Sequence, residues 1–149
     1  MQWPESVQSG DFIRGLPDNV KTRLAALGEQ RHFPDGSVVF QEGALHNTVH
    51  LVIGGRVQLD VMVPQRGRIP ILALGPGDLL GWSPIFGHTP MTATATALEA
   101  VDTLAIPGDA LRHLCETDLQ VGFAVMRQLA LSLSQRLVAT RSQLFDIIS

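Results

Sequence analysis

Ser83 and Pro84, set between Gly81-Trp82 and Pro90-Met91-Thr92, form the stretch of this chain best suited to holding a ligand. A Ser-Pro pair is a favourable opening for a short helix. The hydroxyl can cap the first turn, and Pro loses nothing where its missing N–H has no helical partner. Pro76-Gly77-Asp78 turns the chain ahead of this helix, and Gly87-His88-Thr89-Pro90 ends it. The N–H groups of Ser83 to Ile85 would then face an anion or polar ligand beside a strand in which Thr92, Thr94 and Thr96 alternate with alanines. Taken alone, the stretch fits a solvent-capped loop between two strands equally well.

Other residue types point to other chemistry. His46 and His50 are four apart and could share a strand face, with His32 or His88 brought in by folding, as a metal site of a cupin-type barrel would need. The close His-x-His pair and following Glu usual in cupins are missing, so no metal-ligating residue is assigned. Ser83 has no nearby His and acidic pair, and there is no Gly-x-Ser-x-Gly elbow or Walker loop. No catalytic residue is assigned either. Cys115 reads as a small packing residue on a short helix.

Composition bounds these readings. A chain of 149 residues holds one core, and 45% hydrophobic with 17% charged residues describes a folded protein. Its net charge of −3, with eleven scattered Lys and Arg, argues against a dedicated nucleic-acid binder. One cysteine cannot form an internal disulfide, and with no signal peptide or apolar span in view the expectation is a cytoplasmic protein away from membranes.

The elements that must position the ligand stretch follow from periodicity. Residues 1–15 are polar and glycine-containing, and are expected to be loosely held. Leu16-Pro17-Asp18 starts a helix carrying Val20, Leu24 and Leu27 and stopped by Gly28. Short strands follow: Val38 to Gln41, then Val49 to Ile53 and Val57 to Val61 as an antiparallel pair about Gly54-Gly55, with Arg56, Gln58 and Asp60 outward. Ile69 to Leu74 and Val101 to Ile106 complete a β-sandwich, jelly roll or roll over residues 16–117.

Asp109 to Glu116 reads as a short helix, and Asp118 caps a long one over 118–149. Leu119, Met126, Leu133, Thr140 and Ile147 recur by sevens, interleaved with Phe123, Ala130, Leu137 and Leu144. That is the seam of a coiled coil. An amphipathic helix on its own sheet would account for Val121, Val125 and Leu129. About 30 residues would reach roughly 45 Å, farther than so small a domain extends, so a parallel pair of helices in a homodimer is expected.

In order and spacing, RHFPDGSVVFQEG (31–43), HLVIGGRVQL (50–59), LALGPGDLLG (72–81) and TATATALEAVDTLAIP (92–107) resemble the cyclic-nucleotide-binding domain of the catabolite activator protein family. The resemblance spans Leu16 to about Leu144. It implies an eight-stranded roll with a phosphate-binding cassette at the Ser83 stretch, and a long helix pairing two subunits. The family's cassette reads Phe-Gly-Glu, a short helix, then Pro-Arg and Ser or Thr. Here Gly81, Pro90 and Thr92 match, while Trp82 stands for Glu and Met91 for Arg.

The resemblance therefore implies a small-ligand-sensing regulatory module, with the ligand at Gly81, Trp82, Ser83, Ile85, Pro90, Met91 and Thr92. Each lost charge-assisted contact weakens cyclic-nucleotide binding by about tenfold to a hundredfold or more. Three states of the pocket follow: a changed ligand held by Trp82 and Met91, a pocket those two fill, or a cyclic nucleotide kept by backbone N–H groups. Haem on His88 is a further reading, since some relatives bind haem through histidine. The family's winged helix-turn-helix would lie beyond Ser149. The expectation is thus a partner protein as reader, without direct DNA binding.

Overall fold

The computed structural model of the chain describes residues 3–87 and 89–148, with backbone alone at 143, 144 and 146–148. Eight strands form two antiparallel sheets. In one, β1 (Glu29–Phe33), β8 (Val101–Pro107), β3 (Thr48–Gly54) and β6 (Leu79–Leu80) lie side by side. In the other the order is β2 (Val38–Phe40), β7 (Thr94–Ala97), β4 (Val57–Val63) and β5 (Gly67–Leu74). Helices α1 (Glu5–Gln8), α2 (Asp18–Leu27), α3 (Gly108–Thr117) and α4 (Leu119–Ile148) flank the roll. The mainly β jelly roll with a long C-terminal helix is therefore the fold observed. No described helix is long and apolar enough to cross a membrane.

Strand alternation divides the interior into two cores. Val49 and Leu51 of β3 face the helices and pack with Val20, Leu24, Leu111, Val121 and Val125. Val52 faces the other sheet and packs with Phe40, Val57, Leu80, Ala95 and Val101. Buried on both faces, β3 is the wall shared by the two cores.

The structure corrects four expectations. Residues 3–15 are not loosely held, because Trp3, Val7, Phe12 and Ile13 are buried in the helix-side core. β3 and β4 do not pair: β3 bonds β8 and β6, whereas β4 bonds β5 and β7. The chain passes from one sheet to the other at Gly55, whose φ of 86° lies in the left-handed region and whose Cβ would stand 2.3 Å from the Ala100 carbonyl oxygen. Asp60 is buried rather than outward, and accepts a hydrogen bond from Arg68 Nε at 3.1 Å across a register shift in the β4–β5 ladder. Ser83 does not cap a helix. It lies inside a four-residue 3-10 turn, Ser83–Phe86, that has Trp82 at its cap position and no side-chain cap.

Asp118 does cap α4, its Oδ1 accepting from the N–H groups of Gln120 and Val121 at 3.2 and 3.3 Å. The Val121 N–H, the largest cause, holds this carboxyl below its ordinary value. Val121, Val125 and Leu129 form the buried face of α4. Of the proposed seam, Leu119, Phe123 and Leu137 are 79%, 71% and 71% exposed, and Ala130 is exposed too. Met126 and Leu133 are half-buried against the chain's own core. Leu144 and Ile147 lie outside the described side chains.

Candidate functional site

The cassette is built from its lead strand outward. β6 pairs with β3 and delivers the chain to Gly81 at φ 74°, where a Cβ would stand 3.0 Å from Phe40 Cε2 and 3.2 Å from Met91 Cε. Only glycine takes that backbone without strain. Trp82 then opens the 3-10 turn, whose Ile85 N–H donates to the Trp82 carbonyl at 3.0 Å. Pro84 lies against Gly108 at the start of α3, and Thr89 Oγ1 donates to the Ser83 carbonyl at 3.1 Å. Met91 is strapped to the β2–β3 connection: its N–H donates to the Ala44 carbonyl at 2.9 Å, and its carbonyl accepts from Gly43 N–H at 2.8 Å.

These restraints bring Gly81, Trp82, Ser83, Met91 and Thr92 around one small pocket. Phe40, Leu59 and Ala93 line its inner side, and Arg136 reaches it from α4. Its volume is about 20 Å³, so in this conformation the site is closed. Met91, 3% exposed, belongs to the core between the sheets, whereas half-buried Trp82 packs toward the helix side and meets Phe86 edge-on at 5.8 Å. Ile85 and Pro90, both predicted for the site, do not line the pocket. Ile85 is buried in the helix-side core and Pro90 is exposed.

The expected backbone anion nest is reduced as well. Pro84 carries no N–H, and that of Ile85 is already spent on Trp82. Arg136 is the residue that sequence reasoning missed. It is half-buried, and its Nη2 donates to the Leu79 carbonyl. Burial pushes its guanidinium below its ordinary value, while the carboxylates of Asp78 and Asp11 pull it back. A signal was present in the sequence: Gln128, Ser132, Arg136 and Thr140 recur every four residues, a polar stripe on a face that turns out to be inward.

Two other sequence candidates resolve differently. His46 and His50 do meet, with their Nε2 atoms 3.4 Å apart and rings stacked at 5.6 Å, and Thr103 Oγ1 lies 3.0 Å from His50 Nδ1. His32 is elsewhere, paired with Asp102 at 2.8 Å, and His88 lies outside the described residues. Among the described residues no three metal-ligating side chains are grouped. Burial first, then His46 and Arg31, lower the pKa of His50 to about 3, so at neutral pH the pair is uncharged. The half-buried Cys115 thiol is pushed up by burial and by Glu116, which leaves it protonated.

A second concavity lies on the far side of the 3-10 turn. Mostly apolar residues, among them Ile85, Phe86, Leu119 and Phe123, line an open groove of about 510 Å³ that also takes in Arg112 and Glu116 and is continuous with the exposed face of α4.

With the geometry established, comparison with known proteins gives the chain its relatives. Residues 30–118 match the family model for the cyclic nucleotide-binding domain. A CRP-like cAMP-activated global transcriptional regulator of Mycobacterium tuberculosis is 30% identical over 128 residues, covering 84% of this chain and 55% of the relative. The chain thus spans about half the length of that curated relative. Among solved structures, the N-terminal domain of a transcriptional regulator from Streptomyces coelicolor superposes with a TM-score of 0.71 at 26% identity, covering 94% of this chain and 95% of that one. The catabolite activator protein of Thermus thermophilus gives 0.74 at 25% identity, covering 92% of this chain and 62% of that one. The cassette fold, the sheet order and the matched residues together assign the chain to the cyclic nucleotide-binding domain family, in the form found in CRP-like regulators.

Proposed function

We propose that this domain is a homodimeric, non-enzymatic sensor of a small effector, which enters at the cassette between Trp82 and Met91. The observation that carries the reading is that α4 borders both functional surfaces. Arg136 on one face of α4 lines the cassette pocket, and Leu119, Phe123 and Leu137 on another are exposed apolar residues at seam spacing. A ligand that moves one face of a rigid helix moves the other. Swinging a two-state population from mostly off to mostly on takes about 5.5 kcal/mol of differential affinity, which is what the effector must supply. A protein partner, met inside the cell, reads the result.

Cyclic AMP, the activator named for the mycobacterial relative, is the first effector to test, together with cyclic GMP. Trp82 and Met91 stand where the family carries its ribose-binding Glu and phosphate-binding Arg, so binding is weaker than a restored cassette allows. In calorimetric titrations, Met91→Arg is expected to raise affinity about tenfold to a hundredfold. Equal affinity in the two proteins would contradict the reading.

The closed pocket favours a second reading, a dimer that responds to no metabolite. Ligand sites ordinarily enclose roughly 300–1,000 Å³, against about 20 Å³ here. Met is the side chain best able to vacate such a space, being unbranched with three rotatable bonds. Absence of saturable binding by either nucleotide would select the second reading.

A further inference from the structure

We infer that Arg136 is the anion anchor of this cassette, and that the effector carries a phosphate-class group held between the Arg136 guanidinium and the hydroxyls of Ser83 and Thr92. This rests on the reading of the cassette as an effector site and names the chemistry of what enters it. Among the described residues that line the pocket, Arg136 alone is charged, Ser83 and Thr92 alone carry hydroxyls, and the rest are apolar or glycine. No carboxylate lines the pocket itself; Asp78 and Asp11 act on the guanidinium from outside that lining, and burial still holds it below its ordinary value. A half-buried cation in such a place is stabilised by an entering anion, because opposite charges attract more strongly where water is partly excluded.

Geometry and chain chemistry favour this side chain over the backbone. The 3-10 turn has only four residues and its Ile85 N–H is taken, so it offers no nest of donors. Met91, at the place where the family sets its cation, contributes none. Arg presents five donors in a planar fork suited to two oxygens of a phosphate. One of them now goes to the Leu79 carbonyl, at the strand that leads into the cassette. An arriving phosphate competes for that fork and so pulls directly on α4, one residue from Leu137 of the exposed seam. In this arrangement the cation that binds the effector is part of the helix that transmits the response.

The test compares cyclic AMP, 5′-AMP and adenosine as probes of the wild-type protein and of Arg136→Gln, Arg136→Lys and Arg136→Gln/Met91→Arg. Both phosphorylated probes are expected to bind at least about tenfold more tightly than adenosine, the worth of one charge-assisted contact. Arg136→Gln should erase that difference, Arg136→Lys keep part of it, and the double variant recover it from the other side of the pocket. Arg136→Gln could instead fail to fold, which a thermal melt would reveal. The arginine Nε resonance of Arg136 in nitrogen-15-labelled wild-type protein then decides: it should shift with cyclic AMP and stay with adenosine. Equal binding of adenosine and the phosphates, an unaffected Arg136→Gln, or an unmoved resonance under bound cyclic AMP overturns the anchor and leaves the effector site standing. No binding of any probe to the wild type overturns both.

Discussion

The two concavities flanking the 3-10 turn are opposites. On one side the cassette pocket is closed at about 20 Å³, with Met91 packed in and a single guanidinium at its wall. On the other, an open and mostly apolar groove of about 510 Å³, with Arg112 and Glu116 in its lining, runs into the exposed face of α4. The closed site holds a lone cation without room, and the open one has room, a mostly apolar lining and one charge of each sign, Arg112 and Glu116. That difference fits the proposed small anionic ligand to the first and the proposed second copy of the chain to the second. α4 is the element common to both.

The largest effect is expected where the open side is broken. Phe123→Glu with Leu137→Glu places charges on two seam positions that are each 71% exposed, and light scattering should give half the wild-type mass. Leu133 is a poorer choice, since it packs against the helix-side core and its loss would unsettle the monomer. An unchanged mass would remove the dimer from the comparison.

On the closed side, Met91→Ala empties space in the core between the sheets. A buried Met→Ala change costs about 2–5 kcal/mol, read as a lower urea midpoint, and ligand affinity should rise if Met91 is the plug. Lost stability with unchanged affinity would mean that Met91 is core alone.

Acid should weaken the closed side next. The folded protein disfavours protonated His50, whose pKa is lowered from 6.5 to about 3, so the unfolded chain takes up the proton first. Stability from this group is therefore whole above about pH 6.5 and drains at about 1.4 kcal/mol per pH unit as pH falls toward the folded value. His46, lowered in the same direction, adds to it. Urea midpoints between pH 7.5 and 5.5 should fall, and His50→Gln should flatten the slope. The same slope in both proteins would place the acid sensitivity elsewhere.

The smallest change sharpens the boundary between the two concavities. Gly81→Ala forces a side chain into the left-handed region against Phe40, a strain of about 1–3 kcal/mol. It should also shift Trp82, read as a change in its fluorescence, while dimer mass stays the same.

What the sequence made legible was local. The Val20–Leu24–Leu27 spacing marks α2, Asp118 caps α4, and the order of glycine turns places the cassette at Gly81 to Thr92. Partners far apart in the chain were not legible. Period-two alternation in Val49–Ile53 and Val57–Val61 defines strands, but nothing local says that Gly55 sends them to different sheets. Asp60 reads as a surface carboxylate until Arg68 covers it from β5. Trp3, Val7, Phe12 and Ile13 follow no regular period, so their shared burial emerges only when the roll supplies a surface. Arg136 looks like one more charge on a long helix, and only packing against β6 turns it into the cation of a distant pocket.

The central claim is that the closed cassette opens to a small effector. The most direct test is fluorine NMR of protein labelled with 5-fluorotryptophan and titrated with cyclic AMP. The chain has two tryptophans, with Trp82 at the pocket and Trp3 buried in the helix-side core as an internal reference. A saturable shift of the Trp82 resonance with Trp3 unmoved is the predicted result. A spectrum unchanged up to millimolar cyclic AMP would contradict it.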